Sequence, residues 1–227
     1  MTELVVALDL PSGRAALDLA DRLPGLRWAK VGPVLYVREG PALVRELAGR
    51  RVRVFLDLKW HDIPSTVAGA AAAARDLGVA LATVHCLGGN EMLRAAVAAA
   101  PDLPLVGVTV LTAHTADAFG ATVGRGAVDV PGEVVRLARL GLAAGLKGVV
   151  ASPLEIAPLR QAIGPDPWIV VPGIRRAEDA PGDQARTATP EAAARAGATH
   201  LVVGRPITGA ADPVAAYREF RRTLEPR

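Results

Sequence analysis

Short apolar, β-branched runs alternate along this chain with longer stretches in which Ala, Leu and Arg recur at helical spacing. Eight of the runs read as strands: residues 4–8, 28–31, 52–58, 80–85, 105–110, 148–151, 168–171 and 200–203. Most are apolar at consecutive positions rather than alternate ones, the pattern of strands covered on both faces. The segments between them carry helix signals. Ser12 predicts an N-cap for a helix over 14–22, and Pro64 the first turn of an Ala-rich helix through 67–77. Thr189-Pro190-Glu191 and Asp212-Pro213 each place a capping side chain before a proline, and Gly78 and Gly197 suit helix C-termini. Strands alternating with helices in this number predict an α/β fold, a single-domain (β/α)8 TIM barrel over 1–227. A doubly wound open sheet is the alternative, but no G-x-G-x-x-G follows the first strand.

Two connections are long. Residues 113–131 follow the fifth strand and carry Gly120, Gly124 and Gly126; residues 175–188 follow the seventh and contain Pro181-Gly182-Asp183-Gln184. Both leave the strand end where a barrel keeps its active site, so both are candidate lids.

Composition narrows the function classes. The chain has 227 residues, 51% hydrophobic and 22% charged, enough for one packed domain with a sizeable core. The net charge of +3 does not suggest a binder of phosphate backbones, and aromatics at 4% are too sparse for base stacking. The pI of about 9.5 reflects the kind of base: only Lys30, Lys59 and Lys147 are lysines, and the rest are arginines. No apolar run reaches the ~18 residues of a membrane span. The single cysteine, Cys86, argues against a disulfide scaffold and fits a reducing compartment. Met1-Thr2-Glu3 lacks the start of a signal peptide, so a cytoplasmic location is expected.

Ionisable residues gather at the strand ends. Asp9 follows the first strand, Lys30 lies in the second, Asp57 and Lys59 close the third, and Asp62 comes three residues later. His85, Thr112, Ser152, Arg175 and Arg205 lie at or past later strands. In a barrel these ends converge on one mouth. Asp57 and Lys59, two apart, share a strand face, taken as the barrel interior. A chain rich in arginine that places two of its three lysines here is using what arginine lacks, a compact ammonium able to give up a proton. Lys30, Asp57, Lys59 and Asp62 read as a chain of alternating charges, which favours the charged form of each member. On that reading Lys59 is a general acid rather than a Schiff-base nucleophile. After the last two strands, Pro172-Gly173-Ile174-Arg175 and Gly204-Arg205 together favour a phosphate site. His61, His85, His114 and His200 show no metal-ligand spacing, so no metal is expected; His85 reads as a satisfied interior histidine.

The segment Asp57-Leu58-Lys59-Trp60-His61-Asp62-Ile63-Pro64-Ser65-Thr66 resembles the D-x-K-x-x-D-I-P-x-T signature of the orotidine 5′-monophosphate decarboxylase family. Val6-Ala7-Leu8-Asp9, Lys30-Val31-Gly32, Val108-Thr109-Val110-Leu111-Thr112, Val171-Pro172-Gly173-Ile174-Arg175 with Gly182-Asp183-Gln184, and Val203-Gly204-Arg205-Pro206-Ile207-Thr208 extend it over nearly the whole chain. Trp60 and Ser65 depart from the commoner Phe and Asn without touching an acid–base group. The resemblance implies decarboxylation of orotidine 5′-phosphate to UMP and CO2 without metal or cofactor, in a homodimer. Carried over by position, Lys59 protonates C6 and Asp57 lies near the departing carboxylate. Asp62 and Thr66 enter the neighbouring subunit's site. Asp9 and Lys30 hold ribose hydroxyls, and Thr112 lies near the pyrimidine edge. Gln184, Gly204 and Arg205 grip the phosphate, with Arg175 at the base of a closing loop.

The nearest rival is a sister barrel enzyme, a magnesium-dependent decarboxylase of 3-keto-gulonate 6-phosphate. It typically carries Glu where this chain has Lys30. A second rival, a basic protein that binds nucleic acid, leaves the strand-end carboxylates unexplained. The expected partners are therefore a small-molecule nucleotide and a second subunit, with no nucleic acid and no membrane.

Overall fold

The structure, a computed structural model, describes residues 2–176 and 187–225. Its strands are β1 (Glu3–Ala7), β2 (Trp28–Val31), β3 (Arg53–Trp60), β4 (Leu81–His85), β5 (Leu105–Val108), β6 (Gly148–Val150), β7 (Trp168–Val171) and β8 (His200–Val203). They pair in parallel and in chain order, and β1 pairs with β8 to close a barrel, Glu3 opposite His200 and Val6 opposite Val203. Around it run α1 (Gly13–Arg22), α2 (Pro33–Gly49), α3 (Pro64–Asp76), α4 (Gly89–Ala99), α5 (Ala116–Thr122), α6 (Val130–Ala143), α7 (Ile156–Ile163), α8 (Pro190–Ala196), α9 (Arg205–Thr208) and α10 (Pro213–Leu224). This is the predicted (β/α)8 barrel. Among the described residues no helix is long and apolar enough to cross a membrane.

The helix signals act as the sequence implies. The Ser12 hydroxyl accepts the Ala15 N–H, Thr189 accepts that of Ala192, and Asp212 accepts those of Val214 and Ala215. Gly197 ends α8 in the left-handed conformation. α2 is bent at Gly40-Pro41, where the proline lacks the N–H that would continue the helix.

Consecutive strand residues feed two apolar layers. Val5, Ala7, Trp28, Phe55, Leu81, Val106, Val170 and Val202 fill the barrel. Leu4, Val6, Val54, Leu56, Ala82 and Val84 face the helices, where Leu19, Leu47, Ala71 and Leu93 meet them. Each fully buried Leu or Phe of these layers contributes roughly 1.5–3 kcal/mol. With both faces occupied, polar groups have room only at the two ends of the barrel.

Two strand ends differ by two residues from the sequence reading, and several others by one. β3 continues past Leu58 to Trp60, which pairs with Val84 beyond an irregularity. β5 stops at Val108, and just beyond it the Thr109 hydroxyl donates to the Val150 carbonyl at 2.9 Å. Of the two candidate lids, the 113–131 segment contains α5. It folds back on itself so closely that a Cβ on Gly120 would stand 2.1 Å from the Gly126 carbonyl oxygen. Arg125 ties it to Glu133 of α6 at 3.0 Å. The second segment is pinched at its base, where the Arg175 N–H donates to the Ala188 carbonyl at 3.0 Å. Its Gln184 lies outside the described residues.

At the N-terminal end of the barrel, His200 is buried between Trp28 and Trp168, with ring centroids at 5.3 and 4.6 Å. Burial, reinforced by Arg53, pushes its imidazole down from 6.5 to about 4. The unfolded chain thus takes up a proton near pH 6.5 that the folded chain refuses until about pH 4. Stability falls as pH drops through that window, by up to about 3 kcal/mol from this group. His200→Asn should flatten the curve of unfolding free energy between pH 6.5 and 4 in urea titrations. An unaltered fall in the variant would place the acid sensitivity elsewhere.

Candidate active site

β3 delivers the central pair. Phe55 points into the barrel, so Asp57 does too, one step nearer the mouth. Between the pairs Leu56–Ala82 and Trp60–Val84, three residues of β3 oppose Thr83 alone on β4. The excess is absorbed at Lys59, which has φ +52°. For a lysine that conformation costs about 1–2 kcal/mol, and it marks a place where other contacts hold the backbone. Here the Lys59 N–H donates to the Thr83 hydroxyl at 2.8 Å, and that hydroxyl donates to Asp57 Oδ1 at 3.1 Å.

The charges form one line. Asp9 Oδ1 is 3.1 Å from Lys30 Nζ, Lys30 Nζ is 3.6 Å from Asp57 Oδ2, and Lys59 Nζ is 2.8 Å from Asp57 Oδ1. The Lys30 and Asp57 side chains are only 11% and 12% exposed, whereas Lys59 is 37% exposed and faces the mouth. The inner pair thus gains from a low-dielectric surrounding, and Lys59 remains open to a ligand. Gly32 gives the outer pair its space: a Cβ there would stand 2.9 Å from Asp9 Oδ1 and 3.0 Å from Lys30 Nζ.

The expected alternating chain therefore exists with a different end. Asp9 completes it, and Asp62 does not join it. Asp62 is exposed, and its Oδ1 accepts the Ile63 N–H at 2.6 Å. The turn out of β3 carries it to the outer rim, as it does Thr66 in the first turn of α3, also exposed.

A pocket of about 490 Å³ opens over this line, within the range of small-molecule sites. Asp9, Lys30, Asp57, Lys59, Thr112, Arg175, Gly204 and Arg205 line it, and Asp62 and Thr66 do not. Its floor is apolar, from Ala7, Phe55, Val150, Val170 and Val202. Gly173, at φ +79°, turns the chain out of β7, and Arg175 is buried beyond it. Gly204 precedes the short helix α9, and its carbonyl accepts the Ile207 and Thr208 N–H groups at 2.8 and 2.9 Å. The pocket is thus cationic on the β7–β8 side and of mixed charge on the β1–β3 side.

His85 differs from its reading as a satisfied interior group. It is half-buried, stacks on His61 with centroids 5.3 Å apart, and its Nδ1 has no hydrogen-bond partner among the described residues. Burial first, then the charges of His61, Lys59 and His114, push it down to about 4. Thr83 was not singled out from the sequence. Its signal there is small, one hydroxyl inside the apolar run Leu81-Ala82-Thr83-Val84. Among the described residues no three His, Cys, Asp or Glu side chains gather as a metal-ligating group.

Comparison with known proteins gives a consistent set of relatives. The family model described as Orotidine 5'-phosphate decarboxylase / HUMPS family matches residues 2–220. The chain is 48% identical to the orotidine 5'-phosphate decarboxylase of Opitutus terrae over 229 residues, covering 98% of each chain. It is 54% identical to that of Halorhodospira halophila over 219 residues, covering 94% of this chain and 92% of the relative. Among solved structures, orotidine 5'-phosphate decarboxylase from Lactobacillus acidophilus superposes with a TM-score of 0.87 at 34% identity, over 100% of both chains.

Asp57 bridges two ammonium groups, so removing its charge leaves Lys30 and Lys59 facing each other with only Asp9 beside Lys30. Asp57→Asn should lower the unfolding free energy at pH 7 by about 1–3 kcal/mol in urea denaturation. A variant as stable as the parent, or more so, would show that the lysines do not depend on that carboxylate.

Proposed function

The chain belongs to the orotidine 5'-phosphate decarboxylase / HUMPS family, and from that premise we propose that it decarboxylates orotidine 5′-phosphate to UMP and CO2 in pyrimidine synthesis, with Lys59 as proton donor and no metal or cofactor. One observation carries this reading. Lys59 Nζ stands 2.8 Å from Asp57 inside a pocket whose opposite side is lined by Arg175, Gly204 and Arg205. A nucleotide with its phosphate at β7–β8 has its base directed toward the β3 end. There the C6–carboxylate bond breaks heterolytically, CO2 departs, and the electron pair stays on C6. The Lys59 ammonium stabilises that developing charge, then gives its proton to C6, and the neutral amine regains a proton from water. Asp57 holds Lys59 in place and faces the substrate carboxylate, a repulsion relieved as CO2 leaves.

Binding energy comes from the far end of the substrate. Arg205 and Gly204 grip the phosphate together with Gln184, and Arg175 supports the base of that loop. Asp9 and Lys30 hold ribose hydroxyls, and Thr112 meets the pyrimidine edge. The sister magnesium-dependent reading needs a carboxylate at position 30. Here that position is an ammonium lying between Asp9 and Asp57.

The rim positions of Asp62 and Thr66 fit a homodimer in which each completes its neighbour's site. Three apolar side chains support an interface on this face: Ile63, Leu87 and Leu111 follow β3, β4 and β5 and are 63%, 36% and 37% exposed. The enzyme acts as a single catalytic domain over 1–227 and is cytoplasmic.

Loss of orotidine 5′-phosphate absorbance should be seen with purified protein and should survive exhaustive EDTA treatment. A loss restored specifically by Mg²⁺ would favour the sister enzyme. Lys59→Ala should lower turnover by about 10²–10³-fold or more. Lys59→Arg should fail similarly, because guanidinium is a poor acid and too large. Substantial turnover in Lys59→Arg would reduce Lys59 to a fixed charge.

The shared site is tested separately. Lys59→Ala and Asp62→Ala homodimers should each be nearly inactive. Refolded together in equal amounts, about half the dimers are mixed, and each mixed dimer has one site with both lesions and one with neither. Activity should return to about a quarter of wild type. No recovery despite verified subunit exchange would mean Asp62 serves its own subunit.

A further inference from the structure

Thr83 is fully buried on β4, lies behind the pocket rather than in its lining, and bonds to both members of the Asp57–Lys59 pair. Its hydroxyl accepts the Lys59 backbone N–H at 2.8 Å and donates its own hydrogen to Asp57 Oδ1 at 3.1 Å. Asp57 Oδ1 also takes Lys59 Nζ at 2.8 Å, so hydroxyl, carboxylate and lysine close a ring. The bonding is consistent, since a hydroxyl offers one donor and two acceptor sites. At this place β3 has no regular ladder to β4: Leu56 pairs with Ala82, Trp60 pairs with Val84, and Thr83 alone faces the three residues between. The Thr83 side chain therefore gives the Lys59 N–H the partner that the interrupted ladder does not supply. It does so where Lys59 adopts its left-handed backbone.

We propose that Thr83 is a positioning residue for the decarboxylation. Its hydroxyl holds the β3 bulge closed and orients the Asp57 carboxylate, and together these set where Lys59 Nζ stands. The inference rests on the reading of Lys59 as proton donor. It assigns Thr83 no contact with substrate. Valine matches threonine in shape but can make neither bond, whereas serine can make both.

The test compares Thr83→Val and Thr83→Ser with the parent enzyme. Thr83→Val should lower kcat for orotidine 5′-phosphate by about 10–100-fold while KM changes less than about threefold, because the phosphate grip is untouched. Thr83→Ser should keep kcat within about threefold of the parent. Thr83→Ala, which only removes atoms, should behave as Thr83→Val does. Full kcat in the Val and Ala variants, or an equal loss in Ser and Val, would overturn the proposal. A second readout does not use turnover. With three lysines in the chain, protein labelled with ¹⁵N-lysine gives three lysine backbone amide signals. That of Lys59 should shift and exchange about tenfold faster in Thr83→Val, and match the parent in Thr83→Ser. An unchanged Lys59 amide in Thr83→Val also overturns the clamp. If the parent itself fails on orotidine 5′-phosphate, the decarboxylase reading falls alone, and the amide comparison still decides for or against the clamp.

Discussion

Asp57 sits at the inner limit of the charged region, one strand step above Phe55 and the apolar filling of the barrel. One of its oxygens meets Lys59 and Thr83, the other faces Lys30, and its side chain is only 12% exposed. A carboxylate so placed is tolerable because opposite charge and a hydrogen-bond donor meet it on both sides. The two lysines depend on it in the same way. Their ammonium groups occupy neighbouring positions of one mouth, and without the carboxylate between them they would repel.

Closure of the barrel makes that mouth the place for chemistry. With every strand paired on both edges and covered on both faces, polar side chains are confined to the ends. At the N-terminal end the outcome is a neutral imidazole, His200, held between two indoles. At the C-terminal end the outcome is an open line of charges, because the loops there leave a pocket rather than a plug. The same loops bring the β7 and β8 glycines and arginines round the ring to face β3. Sites far apart in the chain, Asp9 and Arg205 among them, thereby share one cavity.

The site stores local strain where the chemistry is proposed. Lys59 adopts a backbone conformation that lysine disfavours, and the bulge that imposes it also lifts Lys59 out of the regular ladder. The Thr83 hydroxyl takes the Lys59 N–H that the ladder leaves unpaired. The 113–131 segment is held differently, with a Thr115 cap on its short helix, a close backbone approach of Gly120 to Gly126 and the Arg125–Glu133 ion pair. Exposed apolar residues after β3, β4 and β5 give the rim a side that is neither charged nor closed.

Much of this was readable in the order of residues. Continuous apolar runs specify strands buried on both faces, and caps such as Ser12, Thr189 and Asp212 act within three residues of themselves, so local sequence determines them. The parity of Phe55, Asp57 and Lys59 likewise points the acid and the lysine to one interior, and the scarcity of lysine marks Lys30 and Lys59 as unusual. What the tertiary structure decided depends on partners distant in sequence. Asp9 rather than Asp62 ends the ion chain, because the parallel pairing of β1 with β2 sets Ala7 opposite Lys30 and so Asp9 near it, while the turn after β3 swings Asp62 outward. His85 stacks on His61 instead of satisfying its Nδ1, since no donor or acceptor of the described residues reaches it. Thr83 came to matter only through the register of β3 against β4. Register is a property of two strands together, and a two-residue excess on one of them is invisible until the other is laid beside it.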